Sequence, residues 1–150
     1  MSVELVIFVG LQGSGKSTFF RERFAATHEH VSKDLFRNNK NRNRKQGELV
    51  EGALRAGRSA VVDNTNPTVE DRRTLVELGR GFGAGILCYH FDSEVRECLA
   101  RNARREGRAR VPNVAIFATA KKLVPPSREE GFDEIYTVRL VDGTFEVRRL

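Results

Sequence analysis

Residues 10 to 17 read GLQGSGKS, and no other stretch restricts the fold so tightly. The spacing is G-x-x-x-x-G-K-[ST], a phosphate cradle where a buried strand runs into it and a helix runs out. Both flanks are present. Residues 3 to 9, VELVIFV, are β-branched and aromatic with no turn residue, as expected of a parallel strand covered on both faces. A helix is predicted from about Gly15 to Ala26, with Phe20 and Phe24 one turn apart on the face that packs back on the sheet. Gly10, Gly13 and Gly15 let the backbone curl so that its N–H groups and the helix N-terminus face a phosphate chain, with Gln12, Ser14 and Thr18 completing the donor-binding stretch. Lys16 is placed to reach the β- and γ-phosphates of ATP and Ser17 to ligate Mg²⁺. The alternative is a glycine-rich turn without a ligand, and the strand and helix on either side weigh against it.

Downstream, a short extended piece, HVS, leads to Asp34, and residues 46 to 56 read as helix. Between them RNNKNRNRK is too polar for a core and is either a mobile loop or an exposed helix end. RSAVVD is a second buried strand. After it Asn66 is the expected helix N-cap, with Pro67 at the first helical position and Glu70 and Asp71 in the first turn. AGILCYHF reads as another strand and SEVRECLARNARRE as another helix. Strands alternating with helices predict an α/β fold with a mainly parallel sheet. The end departs from that pattern: EIYTVRLVDGTFEVRRL holds two alternating runs around Asp142-Gly143, a strong hairpin signal.

Size and composition narrow the class further. At 150 residues and 39% hydrophobic the chain suits one domain, residues 1–150, with a real core. The formal net charge is +6, with the excess in the middle of the chain, which calls for an anionic partner. No apolar run approaches the roughly 20 residues that cross a bilayer. The N-terminus has neither a basic leader nor a cleavage site. Cys88 and Cys98 fit no metal or disulfide spacing, so a cytoplasmic location with reduced thiols and no membrane partner is expected. His28, His30 and His90 show no metal-site spacing and are assigned no role.

The acceptor half of a phosphoryl-transfer site has to come from elsewhere in the chain. Asp34 stands at the head of a basic stretch, at a strand end where an acid can orient and deprotonate a hydroxyl. Arg37, one turn on, would lie on the same side and hold an anionic acceptor. The structural alternative is that Ser32 or Asp34 caps a helix and Arg37 is solvated. In VVDNTNP, Asp63 falls at the carboxyl end of a buried strand, where open α/β sheets bind ligands, and would hold Mg²⁺ through water. Thr65 and Asn66 offer neutral hydrogen bonds to the acceptor, although Asn66 is more simply a cap. Arg72 and Arg73 point either into the cleft or along the helix surface. RNARREGRAR sets Arg101, Arg104, Arg105, Arg108 and Arg110 against one acid, Glu106. A lid carrying arginines neutralises charge on a transferring group, and one or two of the five are expected to be catalytic, the rest solvated. LVDGT differs from the D-x-D-G-T phosphatase signature at the nucleophile, where Leu140 stands, so no phosphatase follows.

With these residues in place the chain resembles the kinase domain of polynucleotide 5′-hydroxyl kinases of the phage and animal end-healing type. The likeness rests on VGLQGSGKSTF, VSKDLFR, GRSAVVDNTNPTVEDR, RNARREGRARVPNVAI and PPSREEGFDEIYTV. It implies a three-layer P-loop kinase fold with an arginine-bearing lid, moving the γ-phosphate of ATP, with Mg²⁺, to the 5′-OH end of DNA or RNA. By motif position Asp34 would be the general base, and Arg37 and Thr65 would bind the acceptor's 3′-flanking phosphate. Lys16, with Arg104 or Arg105, would stabilise the transferring group. Asp63, Asn66 and Arg72 would complete the acceptor site, and Ser17 and Asp63 the metal site. Many relatives carry a fused 3′-phosphatase or other repair module, so a separate phosphatase or ligase partner is expected here. Two further readings stand beside this one: a small-molecule kinase of the same group, and a nucleotide-gated nucleic-acid-binding protein. The region from Pro125 to Phe132 is the expected location of the donor base.

Overall fold

The computed structural model describes residues 2–150. The first strand, β1 (Glu4–Gly10), is buried from Leu5 onward, and its side chains alternate between the two faces of the sheet. Leu5, Ile7 and Val9 meet Val50, Ala53 and Leu54 of α2 (Arg42–Arg55) and Leu75 and Val76 of α3 (Val69–Gly81). Val6 and Phe8 face the other way, onto Phe19 and Phe20 of α1 (Lys16–Arg23) and onto Phe24 just past it. The result is three layers with β1 at the middle. The alternating order of the sequence is kept by β2 (Glu29–Val31), β3 (Ala60–Val62) and β4 (Gly85–Phe91). The chain closes with α4 (Val95–Ala103), α5 (Asn113–Lys122), β5 (Glu134–Val141) and β6 (Thr144–Arg149).

Six strands form one sheet in the order β2-β3-β1-β4-β5-β6. Pairings among β1 to β5 are parallel, and β6 returns antiparallel to β5. Successive connections leave β1 to one side, through β2 and β3, and then cross to β4 on the other. The strand order therefore switches at the carboxyl end of β1, where a crevice opens. At the hairpin both Asp142 and Gly143 have positive φ, 50° and 76°, the primed turn that matches strand twist.

Several local expectations are corrected. Asn66 does not cap α3: its φ is +42°, and its side-chain amide donates to the Phe8 carbonyl. Thr68, with extended φ and ψ, is the cap instead, in a reciprocal box with Asp71. The basic run before residue 46 divides between the two readings: residues 37–41 are turn and coil, and residues 42–45 are the largely exposed first turn of a helix. Asn41 accepts from the Arg44 N–H and starts α2 at Arg42, so Arg42, Arg44 and Lys45 fall in its first turn. Helix α5 was not anticipated; it packs Ile116 on Leu11 and Cys98. The segment from Pro125 to Phe132 runs beside α3 down to the amino end of β5. There Arg80 pairs with Asp133, whose N–H donates to Ile86 near the start of β4. The far end of the segment is thus at the opposite end of the sheet from the phosphate loop, while its start is held beside Pro67, where the Val124 N–H donates to the Pro67 carbonyl.

Candidate active site

The loop from Gly10 to Gly15 takes its shape from close approaches that only glycine permits. Gly13 and Gly15 have φ of +83° and +96°, and a Cβ on Gly13 would sit 2.6 Å from the Cys98 carbonyl oxygen. The Gly13 carbonyl in turn accepts from Arg101 at 2.7 Å, tying the loop to α4. Lys16 folds back inside the loop, donating to the carbonyls of Gly10 at 3.0 Å and Leu11 at 2.7 Å. Burial lowers its pKa from 10.5 to about 8, against the pull of Asp63.

Ser17, in the first turn of α1, donates to Asp63 Oδ2 at 2.7 Å. Asp63 stands just beyond β3, at the switch point. Burial works against its charge, but hydrogen bonds from His30 and Ser17 and the Lys16 charge outweigh it and hold the carboxyl below its usual range. The His30 ring reaches the same Oδ2 at 2.8 Å and stacks on Phe20, 4.0 Å between centroids. No spacing in the chain points to this histidine, since its partners lie 33 and 10 residues away.

At the end of β2 the chain makes a 3₁₀ turn, Lys33–Phe36. Ser32 caps it, accepting from the Asp34 N–H at 3.3 Å. The cap is therefore Ser32, and the Asp34 carboxylate is left at the surface of the cleft, 3.6 Å from Arg37 Nη2. Opposite lies the arginine segment. It is pinned at its base, where the buried Asn102 donates to the Val111 carbonyl and accepts from its N–H. Arg37 bridges across to it, donating to the Arg108 carbonyl at 3.2 Å.

These elements enclose a cleft of about 300 Å³ whose walls include Gln12, Lys16, Ser17, Asp34, Arg37, Asp63, Thr65, Arg105 and Arg108. Not every expected residue arrives there. Arg104, at the end of α4, is exposed and outside the cleft, so within the arginine segment it is Arg105 and Arg108 that face it. Arg72 is fully buried behind α3, its guanidinium bidentate to Glu130 at 2.8 and 2.9 Å and donating also to the Asn66 carbonyl. With its donors engaged there it holds the loop before α3 and does not reach an acceptor. Asn66 is likewise committed to β1, while Thr65 beside it lines the cleft and accepts from the Gly10 N–H through its carbonyl. Ser14 is buried under Lys16, and Thr18 is exposed and bonded to Arg21.

Next to the cleft lies a larger polar groove of about 760 Å³ between α2 and α3. Arg42, Asn64 and Thr65 belong to both. Lys33, Arg44 and Lys122 add positive charge along the groove, and Glu70 and Asp71 line its α3 side. The first turn of α2 contains only basic charges, on the end of a helix that already carries partial positive charge.

The family model described as "AAA domain" matches residues 5–126. A bifunctional polynucleotide phosphatase/kinase of Schizosaccharomyces pombe is 30% identical over 139 residues, covering 90% of this chain and 33% of that protein. The chain thus spans a third of the length of this relative. Among solved structures, a fungal RNA kinase superposes with a TM-score of 0.69 at 16% identity, over 93% of this chain and 38% of its own. A sugar kinase from Janibacter sp. HTCC2649 also reaches 0.69, at 19% identity, over 90% and 85% of the two chains. Both show the three-layer P-loop kinase fold. No helix among the described residues is long and apolar enough to cross a membrane.

Proposed function

Since the chain belongs to the AAA-domain family, we propose that it transfers the γ-phosphate of ATP to the 5′-OH end of a polynucleotide. The observation that carries the proposal is the cleft itself. It gathers Asp34 and Arg37 with Lys16 and Ser17 and borders, through the shared residues Arg42, Asn64 and Thr65, a basic groove large enough for the nucleotides that follow the acceptor. A sugar or nucleoside would fill the smaller cleft and leave the groove unused, which is why a polynucleotide is favoured over a small acceptor. The similarity to a polynucleotide phosphatase/kinase supports the same choice.

The residues fit a divalent cation of the Mg²⁺ kind. Among the described residues no group of three or more His, Cys, Asp or Glu could hold a metal ion, but Mg²⁺ in phosphoryl-transfer sites uses one or two carboxylates together with substrate phosphates and waters. Ser17 and Asp63 would hold it, and its charge would neutralise negative charge on the β- and γ-phosphate oxygens. The chain's own groups do the rest. The loop amides and Lys16 bind the donor phosphates; Lys16 leaves the Gly10 and Leu11 carbonyls to do so. Asp34 accepts the proton of the 5′-OH as its oxygen attacks the γ-phosphorus and the bond to the bridging oxygen of ADP breaks. Arg37 holds the phosphate on the 3′ side of the acceptor nucleotide. Arg105 and Arg108 face the transferring group and exclude water with the pinned segment that carries them.

The test is Asp34→Asn. It should bind ATP as the parent does and transfer phosphate about 10²- to 10⁴-fold more slowly, the usual contribution of general base catalysis. Transfer at nearly the parental rate would remove Asp34 from the mechanism.

A further inference from the structure

We propose that His30 is a positioning residue for the metal-binding pair, donating the hydrogen bond that fixes Asp63 and, through Asp63, the orientation of the Ser17 hydroxyl. The inference rests on the assignment of Ser17 and Asp63 to the cation and names the group that prepares them for it.

The geometry leaves little freedom. His30 lies on β2, opposite Val61 of β3, so that its ring reaches the carboxylate just beyond the strand end. Asp63 N–H donates to the Val31 carbonyl at 2.8 Å, so its backbone is fixed by the same two strands. The imidazole is stacked nearly parallel to Phe20, at 15° between planes, which sets the ring's direction, and its Nε2 is 2.8 Å from Asp63 Oδ2. An ionised carboxylate only accepts, so Nε2 carries the proton in this contact whatever the state of Nδ1. Ser17 Oγ approaches the same Oδ2 at 2.7 Å and must also donate. Its single proton then points at Asp63, and its lone pairs are turned away, toward the cleft where a hard cation would sit.

Asp63 has 2% of its side chain exposed, and a buried carboxylate needs donors to remain charged and in place. Two side chains supply them here. Without His30 the serine hydroxyl would be the one remaining side-chain donor to Oδ2, and the carboxylate could rotate or take up water. Groups of this sort, which hold a metal ligand without touching the metal, typically change metal affinity by about 10- to 100-fold when removed.

Two variants separate the donor from the ring. His30→Phe keeps a ring for Phe20 to stack on and removes the donor; His30→Gln removes the ring and keeps an N–H donor. In the full chain, with no acceptor present, the Mg²⁺ concentration for half-maximal binding of a fluorescent ADP analogue is measured, alongside binding in EDTA and the far-UV circular dichroism. His30→Phe is expected to need roughly 10-fold or more Mg²⁺, with binding in EDTA and helicity unchanged, and His30→Gln to recover most of the loss. An unaltered Mg²⁺ requirement in His30→Phe would overturn the proposal, as would an equal loss in EDTA, which indicates a purely structural role. If the parent itself bound the analogue without regard to Mg²⁺, the assignment of Ser17 and Asp63 would fail before His30 came into question.

Discussion

Glu130→Gln tests the reassignment of Arg72 from acceptor ligand to structural strut. In the folded chain the Arg72 guanidinium has no exposed surface and the Glu130 side chain is 6% exposed. The carboxylate accepts two guanidinium hydrogen bonds and, through Oε2, one from the Ser127 N–H. Neutralising it leaves a buried cation with only the Asn66 carbonyl as its partner. Breaking one side of a buried ion pair costs about 3–5 kcal/mol, more than either hydrogen bond alone, because the remaining charge is uncompensated. For a chain of this size that lowers the melting midpoint by roughly 10 °C or more. Urea unfolding followed by circular dichroism measures it directly. Arg72→Met should also destabilise, and the double variant, which leaves no buried charge, should lose about 2 kcal/mol less than the sum of the two. The reasoning is refuted if Glu130→Gln unfolds within about 0.5 kcal/mol of the parent. It is refuted equally if Arg72→Met keeps its stability and loses acceptor binding.

The phosphate loop yields two further predictions. Lys16 has a folded pKa near 8, below its unfolded value of 10.5, so the unfolded chain holds more protons between those values and stability rises with pH there. Lys16→Met should therefore stabilise the nucleotide-free chain near neutral pH, by as much as about 3 kcal/mol, and abolish nucleotide binding. The difference in unfolding free energy should vanish as pH climbs from 8 toward 10.5. Gly13→Ala should lose donor binding and about 1–3 kcal/mol of stability, because the new methyl meets the Cys98 carbonyl at a left-handed φ; unfolding and nucleotide titration check both.

The parts of the site legible from sequence are those whose signals are local. Gly10 to Ser17 could be placed because strand, glycines and helix adjoin, and Asp63 because it ends an apolar run. Asp142-Gly143 announced its hairpin because primed turns favour that pair. What stayed hidden depends on contacts between distant segments. Asn66 and Thr68 are both good caps by composition, and the choice was made by the Phe8 carbonyl on another strand. Arg72 looked like a cleft residue until Glu130, 58 positions later, was seen to cover it. His30 carried no spacing signal at all. Helix α5 was obscured because its apolar residues divide between a buried Ile116 and exposed Val114 and Phe117. The first turn of α2 could not be told from a loop because basic residues at a helix N-terminus oppose the macrodipole.

The identity of the acceptor is the central question for this protein. Labelled γ-phosphate from ATP, with Mg²⁺, should be offered to matched DNA and RNA oligonucleotides with either a 5′-OH or a 5′-phosphate, and to a panel of sugars and nucleosides. Label confined to strands ending in 5′-OH is the predicted result. Label on a sugar or nucleoside, with none on any strand, would contradict the account and leave the groove between α2 and α3 without an occupant.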